Sequence, residues 1–159
     1  MQLGIRQFVR TVAARDFTAA CAHGAAFAMT DLQMPKSLSG RIVLRGIAIY
    51  QVQDIVWAVN LFGTNAGYVA AGVDPDADDF LARVAFADTN VRIAAAGLYR
   101  QAITGLNIAL LDIDQQEAAG SPAPDLHVVL ENIDGAQDKL ADAAGALRLV
   151  FDLEYESEK

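Results

Sequence analysis

The chain has a single cysteine, Cys21, which excludes an internal disulfide framework. His23 stands two positions on, but two ligands do not complete a metal site. The pair reads as a small buried thiol beside a turn histidine. Cations are scarce: 12 Lys and Arg stand against 20 Asp and Glu, for a net charge of −8. Nucleic acid and anionic membranes are bound by basic surfaces, so this balance argues against both as partners. No apolar run is long enough to span a bilayer. The opening "MQLGIRQFVRTVAARDF" lacks the continuous apolar stretch and the cleavage site of a secretory leader. Recognisable catalytic motifs are missing as well. There is no nucleophile elbow, phosphate-binding loop, dinucleotide-binding glycine pattern or zinc-protease motif. The histidines, His23 and His127, have no neighbouring nucleophile in such a motif, and His127 reads as an ordinary strand residue. The expectation is a non-enzymatic protein without a cofactor.

What the chain does have is apolar content, 53% of its residues. Much of it is alanine, so the core must draw on short runs of Ile, Val, Leu, Phe and Tyr. At 159 residues one domain buries roughly 70% of its unfolded surface. The clearest run is "GRIVLRGIAIYQVQ" from Gly40, broken at Gln53 and Asp54 and followed by "IVWAVNLF". In the second run Ile55, Trp57, Val59 and Leu61 fall on one face, a period of two that a helix does not keep. The pair predicts two consecutive antiparallel strands. Trp57, mid-strand among aliphatic residues, is expected to fill the core, burying roughly 200 Å², in preference to serving as a ligand platform. "LRLVFDLEYE" at 147–156 alternates strictly. Leu147, Leu149, Phe151, Leu153 and Tyr155 lie on one side and charged residues mostly on the other, as in a strand with one wet face. Further strands are read at 125–133, 106–113, 82–87 and 90–97, with others near 5–12 and 26–34. Residues 135–146 read as a short helical turn or a loop. Many short strands parted by Gly, Pro, Asp and Asn turns define an all-β fold, an antiparallel sandwich or barrel.

Two local features carry candidate chemistry. "DPDADD" brings Asp74, Asp76 and Asp78 into alternation, an oxygen-rich group suited to a hard cation. Asp79 stands where an EF-hand needs glycine, and the plainer reading is a solvated acidic turn. In the 41–51 run, strict alternation puts Ile42, Leu44, Ala48 and Tyr50 on one face and Val43, Ile47 and Ile49 on the other. A strand apolar on both faces is covered on both, by its own fold or by another chain. Val43, Ile47 and Ile49, extended by Val56 and Phe62 on the following strand, are therefore interface candidates.

The order of these pieces resembles a group of small virion proteins of tailed phages, the capsid decoration or cement type. Gly40, Ile42 and Ile47 stand in "GRIVLRGIAIY", followed by "VWAVNLFGTN", "DPDADDF", "LARVAFA", "LHVVLENID" and "LRLVFDLEYE". Together these cover most of residues 40–155. Trp57, Val59 and Asn60 depart from the leucine run usual there, and the stretch before the last strand is richer in alanine and acid. The resemblance implies a jelly-roll-like β-sandwich on the outside of a phage head, made in the host cytoplasm. It further implies a homotrimer that binds the major capsid protein and bridges shell subunits. Residues 1–159 then form one domain, with 1–35 a strand or a partly extended arm whose Arg6, Arg10 and Arg15 would face acidic shell surface. Two other roles suit a sandwich. One is a carbohydrate- or receptor-binding module using Tyr68 and Tyr99, and the other is a head–tail or tail component.

Overall fold

The computed structural model describes residues 10–11, 20–21, 26–28, 32–34, 41–51, 55–63, 68–69, 72–73, 80–87, 91–94, 98–110, 125–134, 139–140 and 147–155. Within them every regular element is a strand. In chain order they are β1 (Arg10–Thr11), β2 (Ala20–Cys21), β3 (Ala26–Ala28), β4 (Leu32–Gln33), β5 (Ile42–Gln51), β6 (Trp57–Phe62) and β7 (Tyr68–Val69). There follow β8 (Gly72–Val73), β9 (Phe80–Ala85), β10 (Val91–Ala94), β11 (Leu98–Ala109), β12 (Asp125–Asn132), β13 (Lys139–Leu140) and β14 (Leu147–Tyr155).

One sheet, I, runs β1-β14-β5-β11-β10; the other, II, runs β3-β12-β6-β9, with β4 also on β12. All pairings are antiparallel. With β3 and β4 taken as one broken strand, the main path visits the sheets as β1 (I), β3/β4 (II), β5 (I), β6 (II), β9 (II), β11 (I), β12 (II), β14 (I). That alternation, with β6 and β9 kept inside one sheet, is the path of an eight-stranded jelly roll, to which β10 adds an edge strand beside β11. The fold is an all-β antiparallel sandwich.

The inner faces meet in one apolar cluster. Sheet I contributes Ile42, Leu44, Ile47 and Ile49 from β5 and Leu147, Leu149, Phe151 and Leu153 from β14. Sheet II contributes Trp57, Val59 and Leu61 from β6 and Leu126, Val128 and Leu130 from β12. Strict alternation in β14 and β12 produces this directly, since every second side chain points inward.

β5 does not alternate strictly. Gly46 pairs with Asp152 and Leu44 with Leu153, so Arg45 is one residue too many against β14. On the other side Thr104 pairs with Gly46 and Ile108 with Leu44, so Gly105, Leu106 and Asn107 stand against Arg45. Gly105 has φ 76°, the left-handed conformation that glycine accepts without steric cost. A bulge of this kind resets which side chains face inward. Ile42 and Leu44 therefore share the core with Ile47 and Ile49. The division of β5 into two apolar faces, expected from unbroken alternation, is corrected accordingly.

Three further expectations are corrected. β5 and β6 are not hairpin partners: they lie in opposite sheets, and the chain crosses the sandwich between them. The crossing is fastened by Gln51, whose Nε2 donates to the Ile55 carbonyl and whose Oε1 accepts from Trp57 Nε1, each at 2.7 Å. Residues Lys139–Leu140, read as turn or loop, form β13 and pair with β2. The strand expected at 106–113 begins earlier, at Leu98, and passes through the Gly105 bulge. In the first 35 residues, Arg10–Thr11 pairs with β14, while Ala26–Ala28 and Leu32–Gln33 pair with β12.

Candidate functional site

Trp57 is 1% exposed and packed between the sheets as core filler. The candidate site is therefore sought on the outer faces, and these differ. On sheet II the centre of the outer face is covered: Ala58, Asn60, Phe62, His127 and Val129 are all buried. Phe62 meets Phe80 edge-on at 5.5 Å between centroids. Asn60 Nδ2 reaches the Val129 carbonyl and Glu131 Oε2 at 3.5 Å, and Glu131 Oε2 pairs with Arg83 at 2.8 Å. His127 sits in this buried layer, engaged with a neighbour, as a strand residue.

The outer face of sheet I is open. Its register builds rows across three strands, β11-β5-β14. The first row is Arg100–Tyr50–Arg148, the next Ala102–Ala48–Val150, and the third Thr104–Gly46–Asp152. Arg100, Ala102, Thr104 and Arg148 are exposed, and Ala48, Tyr50, Val150 and Asp152 half-buried. Arg100 Nε donates to Tyr50 Oη at 3.3 Å, and its guanidinium carbon lies 5.8 Å from the ring centroid. Past the bulge, Arg45 donates to Glu154 Oε2 and to Asn107 Oδ1, both at 2.7 Å. Its hydrogen bond holds the Glu154 carboxyl below the usual carboxylate range, with charge attraction from Arg45 and Arg41 adding to it against a desolvation cost. The same contact raises the Arg45 guanidinium further. The face thus has a cationic, aromatic end, a flat middle of small side chains and an end carrying carboxylates.

Of the interface candidates, Val43, Ile47, Ile49, Val56 and Phe62 are all buried by the chain itself. Ile47, Ile49 and Val56 belong to the core cluster; Val43 and Phe62 are covered outside it. They hold this fold together, and a contact surface must use other residues. Arg10 lies in β1 beside β14. Arg6, Arg15 and the acidic run Asp74, Asp76 and Asp78 lie outside the described residues. Among the described residues no group of three or more His, Cys, Asp or Glu is placed to hold a metal ion, and no helix is long and apolar enough to cross a membrane. Tyr68 and Tyr99 fall on different sheets, the first in the separate β7-β8 pair and the second in sheet I, half-buried. The row Arg100–Tyr50–Arg148 was invisible in the sequence, because its members are about 50 positions apart and only the register aligns them. The one local signal was Tyr50 itself, at the end of an otherwise aliphatic strand.

Between the sheets one polar group stands out. Gln101, 1% exposed, has neither its Oε1 nor its Nε2 bonded to any protein atom.

No protein-family model matches the chain, and no curated protein matches it. Among solved structures it is similar to a chain in the structure of infectious bursal disease virus Gt strain, with a TM-score of 0.39 and 13% identity. The overlap covers 93% of this chain but 31% of the viral one, so this chain spans about a third of that length. Overlap that loose assigns no role.

Proposed function

We propose that the chain is a non-enzymatic viral structural protein of the phage decoration, or cement, type, binding the outside of a capsid shell and stabilising contacts between its subunits. The observation that carries this reading is the strand path. The residues resembling decoration proteins imply a jelly roll, and eight of the strands follow that path, with β10 added beside β11 at the edge of sheet I. The same path serves lectins and other binding domains, so the fold is an analogy and the surface must decide. The surface favours docking: the centre of one outer sheet face is buried, and the other, from Arg100 to Asp152, is open and lined by small side chains between charged ends. Such a face contributes a modest contact per copy, and a shell multiplies it through many copies, more so for a trimer that engages several subunits together.

The test is stoichiometry. Quantitative mass spectrometry of purified particles of the virus that encodes the chain is expected to find it at shell-wide copy number, releasable without opening the head. A handful of copies per particle would move it to the neck or tail. Its absence from particles, with binding to a glycan array lost on Tyr99→Ala, would replace this reading with the lectin one. Light scattering on the free protein tests the trimer.

A further inference from the structure

We infer that the outer edge of β9 is a pairing surface for a second copy of this chain, joined antiparallel, edge to edge, about a twofold axis at Val84. Sheet II ends at β9, and among the described residues only β6 pairs with it. The hydrogen-bond phase fixes what the free edge offers. Phe86 N–H donates to the Trp57 carbonyl at 2.9 Å, one step beyond the Ala58–Ala85 pair. Antiparallel pairs alternate between those that exchange both backbone bonds and those that exchange none. Val84–Val59 and Ala82–Leu61 are therefore bonded pairs, and Arg83 and Ala85 turn their N–H and C=O groups away from β6. The far side of β6 agrees. The Val56 carbonyl accepts from Ile133 at 3.0 Å, so even-numbered residues there bond to β12 and odd-numbered ones to β9. Arg83 and Ala85 are also the exposed residues of β9.

Proteins blunt free sheet edges with short strands, bulges, proline or charge. The other sheet ends use the first two devices. β1 and β4 have two residues, β3 has three, and β10 has four with a bulge between Arg92 and Ala94. β9 runs for six residues, and its irregularity lies at the Phe80 end, which leaves Ala82 to Ala85 regular. Its one charged residue, Arg83, does not guard the edge. It pairs with Glu131 on β12 at 2.8 Å, across β6, so the side chain leans away from the free side and its charge is balanced. A chain of net −8 repels its own copies, and an edge without net like charge is where they can meet.

The same pattern selects the occupant. An added strand must set outward groups against outward groups. β9 does this with itself when Arg83 faces the partner's Ala85 and Ala85 faces the partner's Arg83. The two Val84 residues then stand side by side on the axis, each against its own core. An axis at Arg83 would oppose two arginines, and one at Ala82 would run through the irregular end. An axis at Ala85 would need Ala87, which is already engaged. The contact is isologous and separate from the implied trimer; together the two symmetries join trimers in pairs. The inference does not rest on the decoration reading.

The test is size exclusion with light scattering on the full chain, from micromolar to near-millimolar concentration. Wild type is expected to show masses of an even number of chains. Ala85→Pro removes an N–H that points away from β6, so the ladder inside sheet II is kept while the contact loses a bond from each copy. Ala85→Lys sets a like charge against the partner's Arg83, and Ala85→Glu sets an opposite one. The proline and lysine variants are expected to weaken pairing at least about tenfold. Ala85→Glu is expected to strengthen it, and all three to keep the Trp57 emission of the folded wild type. Where Ala85→Pro does not fold, the lysine and glutamate variants decide. Wild type that stays at one or three chains throughout overturns the inference, as does pairing that neither proline nor lysine weakens. Equal weakening by lysine and glutamate overturns it too, because Ala85 then does not face the partner's Arg83. Copy number on particles tests the decoration reading separately, whatever these variants do.

Discussion

Replacing Gly46 by alanine tests the bulge that organises sheet I. A methyl group built at Gly46 lies 3.0 Å from the Ile103 carbonyl oxygen on β11 and 3.3 Å from Asp152 Oδ2 on β14. The first of these is backbone, held on the neighbouring strand by the Ile103–Ile47 and Thr104–Gly46 pairing, so it cannot simply rotate away. Overpacking at such a site costs about 1–3 kcal/mol. The substitution also narrows the unfolded ensemble, which returns about 0.4–1 kcal/mol. The expected net loss is about 1–2 kcal/mol, with a fall of about 2–4 °C in Tm per kcal/mol for a chain of this size. The assay is urea unfolding followed by the fluorescence of Trp57, the only tryptophan and fully buried. Gly105 provides the control, because its difficulty is different. A methyl there meets nothing within 4 Å, but φ is +76°. Gly105→Ala is expected to lose about 1–2 kcal/mol through backbone strain alone. Gly105→Asn is expected to recover part of that, since asparagine tolerates the left-handed region. At Gly46 the order reverses, because asparagine is larger and the problem is space. If Gly46→Ala unfolds at the same urea concentration as wild type or higher, the close approach of β5 and β11 at the bulge is wrong.

Three further outcomes follow from the same geometry. Trp57→Phe removes the donor to Gln51 Oε1 and leaves volume unfilled at the β5–β6 crossing; a loss of about 1–3 kcal/mol is expected by thermal melting. Gln101→Met replaces a buried carboxamide with no protein partner by a side chain of similar length. It is expected to raise stability by about 1–3 kcal/mol, and a lower Tm would show that the amide is satisfied in solution. Glu154 is expected to titrate below an ordinary glutamate in carbon-detected NMR, and Arg45→Gln is expected to bring its midpoint back up. Because its folded value is the lower one, its contribution to stability is present above the unfolded midpoint and is lost as pH falls through the folded one. Glu154→Gln therefore flattens the acid side of the pH–stability curve.

Legibility in the sequence followed how local each signal was. β14 could be read almost residue by residue, because one face is wet and, Val150 apart, the side chains between the inward ones are charged. The period of β6 was equally plain, but its neighbour was not. The short break at 52–54 fits a hairpin as well as a crossing, and the deciding contacts are with β12 and β9, far along the chain. In β5 the error had a sharper cause. Glycine inside a strand pattern marks bulges, and Gly46 was that marker. Without it, Val43, Ile47 and Ile49 fell together on one apparent apolar face that the structure does not contain. The open face of sheet I was illegible for a different reason: Tyr50, Arg100 and Arg148 become neighbours only through registers that no local pattern encodes.

The bulge also links the core to the surface. Under strict alternation β5 faces a choice. Ile42 and Leu44 can point inward, which carries Tyr50 in with them, or Ile47 and Ile49 can point inward, which turns Ile42 and Leu44 out to water. One extra residue at Arg45 removes the conflict, placing all four aliphatic side chains in the cluster while Tyr50 stays outside between Arg100 and Arg148. Deleting Arg45 restores the conflict, since a one-residue slip exchanges every face beyond it. Such a variant must expose Ile42 and Leu44 or bury Tyr50. It is expected to lose stability and the alignment of Tyr50 with Arg100 and Arg148 together. A deletion variant that kept wild-type stability, measured by the same Trp57 unfolding curve, would mean that β5 is not held in this register.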